Sequence, residues 1–162
     1  MTTETLETAQ ASAITFDDLG ISPQMAKTLS DKGYVNPTPV QADVIPLVIK
    51  TEQDVIAQAK TGTGKTGAFS IPIIERMDYD SPTIQAIILA PTRELALQVG
   101  TELEVYKGRN PINIIPLCGG QSITDQIKQL RQNHLPAIVV GTPGRVLDHL
   151  KRRRLDLSNL NF

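Results

Sequence analysis

Apolar residues recur along this chain at two spacings, and the order in which the spacings change predicts the elements. Ile84–Ala90 is a near-continuous apolar run, as expected of a strand buried on both faces. Ile112–Leu117 and Ala137–Val140 are further strand candidates, and a shorter run, Val55-Ile56-Ala57, predicts a strand ahead of them. The stretches between carry apolar residues at helical spacing. Met25 and Leu29, with Ala26, form the inner face of a helix that Ser22-Pro23 opens and Gly33 ends. Val40, Val44 and Leu47 or Val48 face inward from a helix that Thr38 caps and Pro39 begins. Ala68, Ile71, Ile73 and Ile74 mark a largely buried helix from Gly64 to Met77, with a bend expected where Pro72 deletes a backbone donor. Leu95, Val99, Leu103 and Tyr106 line the next helix, Ile123, Ile127 and Leu130 the one after, and Val146, Leu147 and Leu150 the last.

Strands alternating with helices predict an α/β fold with a mainly parallel sheet flanked by helices. Right-handed crossovers then set every strand-to-helix loop on the carboxyl edge of the sheet. Four segments would share that rim: Ala59–Thr66, Pro91–Glu94, Gly119–Ser122 and Gly141–Arg145. Each of the last three joins small or capping residues to a helix start, and two carry arginines, Arg93 and Arg145. Taken singly, each is an ordinary turn. Together they form a backbone-phosphate track.

Ala59–Thr66 reads Ala-Lys-Thr-Gly-Thr-Gly-Lys-Thr, between the Val55–Ala57 run and a helix. That context is what a phosphate-binding loop needs. Gly62 and Gly64 let the backbone turn tightly and approach an anion with no Cβ in the way. The amides around them and at the helix start then point at phosphate oxygens. Lys65 would neutralise the β- and γ-phosphates, and the Thr66 hydroxyl would bind Mg²⁺. The usual pattern starts with glycine, and here that position is Ala59. Gln41, in the first turn after Thr38-Pro39, carries the donor and acceptor pair that recognises an adenine edge, although by itself it reads as an exposed helical glutamine.

A chain of 162 residues with 40% hydrophobic and 20% charged residues fits one domain with a substantial core. Residues 1–13, rich in Thr, Glu and Ala, read as a flexible amino-terminal segment, with the ordered domain spanning 14–162. A net charge of −1 provides no global field for nucleic acid, so any such contact must come from local loops. The single cysteine, Cys118, excludes an internal disulfide and suits a reducing compartment. No apolar stretch reaches membrane-spanning length and no signal pattern opens the chain, so a cytoplasmic protein with no membrane contact is expected. His134 and His149 are isolated and receive no metal role. Lys151–Arg154 reads as a solvated helix end whose charge complements the dipole, with an RNA contact as the alternative.

These motifs together resemble the amino-terminal RecA-like domain of the DEAD-box ATP-dependent RNA helicases. Gly33–Gln41 is similar to that family's Q motif, with Phe16 where the upstream aromatic belongs. Ala59–Thr66 is similar to motif I, which in this family usually starts with alanine. Pro91–Ala96 matches motif Ia, and Gly119-Gly120 and Thr142–Arg145 resemble the GG and Ib elements. The similarity runs from Ile14 to Phe162. It implies that Phe16 stacks on adenine and Gln41 reads its edge. It also implies that Ala59, Thr61, Gly62, Thr63, Gly64, Lys65 and Thr66 hold ATP, with Mg²⁺ on Thr66. Pro91, Thr92, Arg93, Gly120, Thr142, Gly144 and Arg145 would line the RNA-backbone path.

The resemblance also implies what is missing. No apolar run ends in Asp-Glu-Ala-Asp, and neither the Ser-Ala-Thr motif nor the second RecA-like domain occurs in these 162 residues. The chain therefore reads as an incomplete helicase domain that binds nucleotide without turning it over, a natural short protein being the other possibility. Two other readings stand beside the helicase: a non-catalytic nucleotide- and RNA-binding module, and a P-loop ATPase of another kind. The Gln41 turn and Thr142–Arg145 argue against the last.

Overall fold

The computed structural model describes residues 14–162, so the expectation for residues 1–13 lies outside the described part. Three strands, β1 (Ile84–Leu89), β2 (Asn113–Leu117) and β3 (Ala137–Gly141), form a parallel sheet in the order β1-β3-β2. Gly141 is level with Leu89 on one side and with Leu117 on the other. The three strands thus end on one line, and the loops that follow leave from one rim. β2 is an edge strand, which is where a proline such as Pro116 can sit without breaking the ladder.

Six helices surround the sheet among the described residues. They are α1 (Pro23–Asp31), α2 (Pro39–Lys50), α3 (Lys65–Glu75), α4 (Arg93–Tyr106), α5 (Ile123–Arg131) and α6 (Pro143–Lys151). β3 shows how both sheet faces are covered. Its Ile138 and Val140 belong to one core cluster with Met25, Leu29, Ile45 and Leu103. Its Ala137 and Val139 belong to a second with Leu117, Val146 and Leu155. Alternate residues point to opposite faces, so a strand that is buried throughout must be packed on both sides.

The capping chemistry of α1 is as its sequence predicts. The Ser22 hydroxyl accepts from Met25 N at 3.2 Å, and Pro23 fills the first helical position. At the other end Gly33 adopts φ +84°, its N–H donating to Ser30 O and that of Tyr34 to Leu29 O. That is a Schellman closure, and it needs a residue tolerant of the left-handed region. Glu75, at the end of α3, accepts from both Ser22 N (2.8 Å) and Ser22 Oγ (2.9 Å), fixing the start of α1 against α3.

Two expectations are corrected, the strand at Val55–Ala57 and the inner face of α6. Val55–Ala57 is not a strand, and Ile56 is fully exposed. A strand is made by the hydrogen bonds of its neighbours, and no described strand lies beside this segment; a cavity of about 640 Å³ lies between it and β1. The outer edge of β1 is met instead by Phe162, whose N–H donates to Gln85 O and whose carbonyl accepts from Ile87 N. In α6, Leu147 is 49% exposed and Leu150 is also on the surface, while His149 joins Val146 on the inner face. In α5, Gln126 is buried and Ile123, Ile127 and Leu130 are only half-buried. In α2, Val44 and Ile45 are buried and Leu47 is exposed. α3 continues through Pro72 as far as Glu75, with Met77 buried just beyond it.

Candidate functional site

The phosphate-loop segment leads directly into α3. Gly62 and Gly64 both take the left-handed conformation, at φ +77° and +86°, and Gly64 is the residue before the first helical turn. A side chain at either would be strained. The Thr63 hydroxyl donates to Lys60 O at 2.6 Å, tightening the bend. The Lys65 ammonium donates to the carbonyls of Ala59 and Lys60 and so curls back over the loop. An incoming phosphate would take Lys65 from these carbonyls, exchanging neutral acceptors for anionic ones. Thr61 is exposed and Thr63 and Thr66 are half-buried at the mouth. The donor set fits a polyphosphate. For a divalent cation these residues supply threonine hydroxyls, that of Thr66 at the helix start among them, and no grouping of three His, Cys, Asp or Glu exists among the described residues.

Gln41 stands against this loop. It is 4% exposed, not the surface glutamine that its helical position alone suggests. Its Oε1 accepts from Thr38 N at 3.0 Å, and its Nε2 donates to Gly64 O at 3.1 Å. Room for the amide comes from two glycines. A Cβ on Gly64 would lie 2.6 Å from Gln41 Nε2, and one on Gly67 would lie 2.7 Å from it. Gly67 is a residue that motif reading passes over; its only signal is a second glycine one turn into a helix. The Tyr106 hydroxyl closes the far side, 3.1 Å from that same Cβ position, and its ring pairs with Tyr34 at 5.8 Å. Burial pushes the Tyr106 phenol well above its ordinary range, so it stays protonated. Phe16 is 5% exposed and packs in the main core with Leu19 and Met25.

The other rim segments come together in pairs. Pro91, Thr92 and Arg93 are exposed, and the Thr92 hydroxyl accepts from Leu95 N at 3.2 Å as the cap of α4. Arg93 reaches across to the loop after β2. Gly120 has φ +74°, and a Cβ there would lie 2.6 Å from Arg93 Nη1. From the other side Arg145 Nη1 donates to Gln126 Oε1 at 3.0 Å, with Gln121 O at 3.4 Å. Thr142 N donates to Leu117 O at 3.1 Å, and Gly144 is exposed with open space around it. Two guanidinium groups therefore flank one glycine-containing loop. Cys118, beneath it, is buried, which holds its thiol above the ordinary value against the Thr142 hydrogen bond and the charges of Arg93 and Arg145. It is packing, not a nucleophile.

The basic run closes α6. Arg152 Nε pairs with Asp148 at 2.7 Å, Arg153 has φ +51°, and Arg154 N donates to His149 O. Lys151, Arg152 and Arg153 are exposed, as a solvated helix end would be.

An α/β domain with a parallel sheet, a glycine-bearing phosphate loop on a helix start and two arginines on the same carboxyl rim defines a RecA-like P-loop domain. Comparison with known proteins agrees. The family model described as DEAD/DEAH box helicase matches residues 38–162. The DEAD-box ATP-dependent RNA helicase CshA of Bacillus subtilis is 49% identical over 148 residues, covering 91% of this chain and 29% of that protein. A CshA from Geobacillus kaustophilus is 44% identical and is matched over 31% of its length. Among solved structures, a DEAD box protein from the hyperthermophile Methanococcus jannaschii superposes with TM-score 0.83 at 44% identity, over 90% of this chain and 39% of that one. An S. cerevisiae Dbp5 variant bound to RNA and ADP BeF3 gives 0.80 at 30% identity, over 91% of this chain and 37% of that one. The chain belongs to the DEAD/DEAH box helicase family, and it spans about three-tenths of the length of the curated relatives it matches. No helix among the described residues is long and apolar enough to cross a membrane.

Proposed function

We propose that this chain is the ATP-binding, amino-terminal RecA-like half of a cytoplasmic, ATP-dependent RNA helicase, in which ATP hydrolysis is coupled to RNA binding and local duplex separation. The observation that carries it is the contact of Gln41 with Gly64, which joins an adenine-side residue to the phosphate loop. In this reading Gln41 and Phe16 select adenine, and Ala59, Thr61, Gly62, Thr63 and Gly64 wrap the phosphates. Lys65 balances their charge, and the Thr66 hydroxyl would help hold Mg²⁺. Bound Mg²⁺ would offset the charge that develops on the transferred phosphoryl group. Pro91, Thr92, Arg93, Gly120, Thr142, Gly144 and Arg145 grip the ribose-phosphate backbone, so binding follows local arginines in a chain of net charge −1. Phe16 is in the core here, so base stacking would require it to present a ring face.

By itself the chain binds nucleotide with negligible turnover. Phosphoryl transfer needs a residue to orient water and an arginine finger, whose loss alone costs roughly 10³–10⁵ in rate. In this reading both belong to parts of the helicase outside these residues, including a second RecA-like domain.

Isothermal titration with ADP and with GDP tests the assignment. Tighter binding of ADP is expected; equal affinities remove the adenine role of Gln41, and no binding of either defeats the nucleotide site. Lys65→Ala should weaken ADP binding, and retained affinity would make the loop structural. Phosphate release stimulated by RNA from this chain alone would overturn the claim that it does not turn over.

A further inference from the structure

Gln126 is a buried side chain that touches two of the rim segments and the helix behind them. Its Nε2 donates to Cys118 O at 2.9 Å, at the exit of β2. Its Oε1 accepts from Arg145 Nη1 at 3.0 Å and stands 3.0 Å from His149 Nε2. The amide orientation is dictated by these partners. Turned over, it would set its oxygen against the Cys118 carbonyl and its NH₂ against a guanidinium. An amide oxygen only accepts, so His149 must carry its proton on Nε2. The opposite nitrogen, Nδ1, is then a bare acceptor, and it is buried with no partner. A fully buried histidine with one nitrogen unsatisfied costs free energy. Periodicity would have placed Leu147 or Leu150 on this face at no such cost.

We propose that Gln126 and His149 are positioning residues for the nucleic-acid rim. His149 holds the Gln126 oxygen in place. That oxygen in turn fixes the Arg145 guanidinium at Nη1, so that the loops after β2 and β3 present their donors as one unit. Nη1 is the tethered corner, which leaves Nε and Nη2 as a paired fork for a phosphate oxygen. Neither Gln126 nor His149 touches the nucleic acid. The inference rests on the reading that Arg145 contacts an RNA backbone. It adds why a guanidinium on a helix start is held ready instead of sweeping through solvent.

The test uses the 162-residue chain and a fluorescent single-stranded RNA oligonucleotide, with affinity measured against salt. Arg145→Ala should lower affinity and reduce the salt slope by about 0.7, the value for one phosphate contact on a single strand. Gln126→Leu should weaken binding roughly three- to tenfold, and Gln126→Leu with Arg145→Ala should be no weaker than Arg145→Ala alone. Circular dichroism establishes that each variant is folded. Full additivity of Gln126→Leu and Arg145→Ala overturns the positioning role. Nitrogen-15 NMR reads the tether independently of RNA. The Nε2–H tautomer of His149, together with faster exchange of the Arg145 guanidinium protons in Gln126→Leu, is expected. The Nδ1–H tautomer or unchanged exchange overturns the tether whatever the RNA does. An intact tether in a chain that binds no RNA overturns instead the RNA reading of Arg145, and with it the purpose assigned here.

Discussion

Gln41 Nε2 donates to Gly64 O at 3.1 Å, so a residue at the start of α2 is bonded to the residue before the first turn of α3. The same carbonyl accepts from Ala68 N as the first bond of α3. The turn around Thr38 and the phosphate loop therefore move together, and a rearrangement of one is felt by the other.

Removing that link should be costly in a specific way. Gln41→Ala leaves Thr38 N without its acceptor in a part-buried position, for an expected loss of about 1–3 kcal/mol. Gly67→Ala drives a methyl into the amide and should cost about 1–3 kcal/mol by overpacking. Because both act on one contact, the double variant should cost less than the sum. Urea unfolding of the four proteins decides; strict additivity would mean that the two residues do not share a slot.

Arg153 occupies the left-handed position that closes α6, with Arg153 N donating to Leu150 O and Arg154 N to His149 O. The same pattern ends α1 with a glycine, Gly33. For a residue with a Cβ this conformation costs about 1–2 kcal/mol, part of which glycine returns through its freer unfolded chain. Arg153→Gly should therefore stabilise the protein by about 0.5–1 kcal/mol, whereas Arg153→Ala should not. A lower unfolding midpoint for the glycine variant would contradict this geometry.

Acid should weaken the fold through His149. Burial, and then the charge of Arg145, hold its imidazole below the ordinary value of 6.5. The folded chain binds that proton more weakly than the unfolded chain, so the contribution is complete above the unfolded value and is lost as pH falls through the folded one. Unfolding free energy should decline on going from about pH 7 to about pH 5, and His149→Gln should flatten the decline. Parallel curves for the two proteins would show that His149 titrates without consequence.

On α6, Leu147 and Val146 are adjacent in sequence and opposite in environment. Leu147→Lys should change stability by no more than about 0.5 kcal/mol, while Val146→Ala should cost about 1–3 kcal/mol. Thermal or denaturant unfolding separates them. A large loss for the lysine variant would place Leu147 in a contact within the chain.

What the sequence determined by itself is what local chemistry decides. Serine and threonine before Pro23 and Pro39, glycine at Gly33, and apolar runs at Ile84, Ile112 and Ala137 each carry their structural consequence within a few residues, because caps, turns and strand patterning are short-range. The glycine turn that opens α3 and the shared rim of the loops after β1, β2 and β3 were legible for the same reason, given one rule of handedness. Tertiary structure decided the rest. Val55–Ala57 has strand composition, but a strand needs a neighbour, and composition cannot supply one. Gln41, Gln126 and His149 look like surface residues in a one-dimensional pattern; they are buried because distant groups, Gly64 O, Cys118 O and Arg145, meet their polar atoms. Burial of a polar group depends on partners that lie far away in the chain, and only the folded arrangement says which they are.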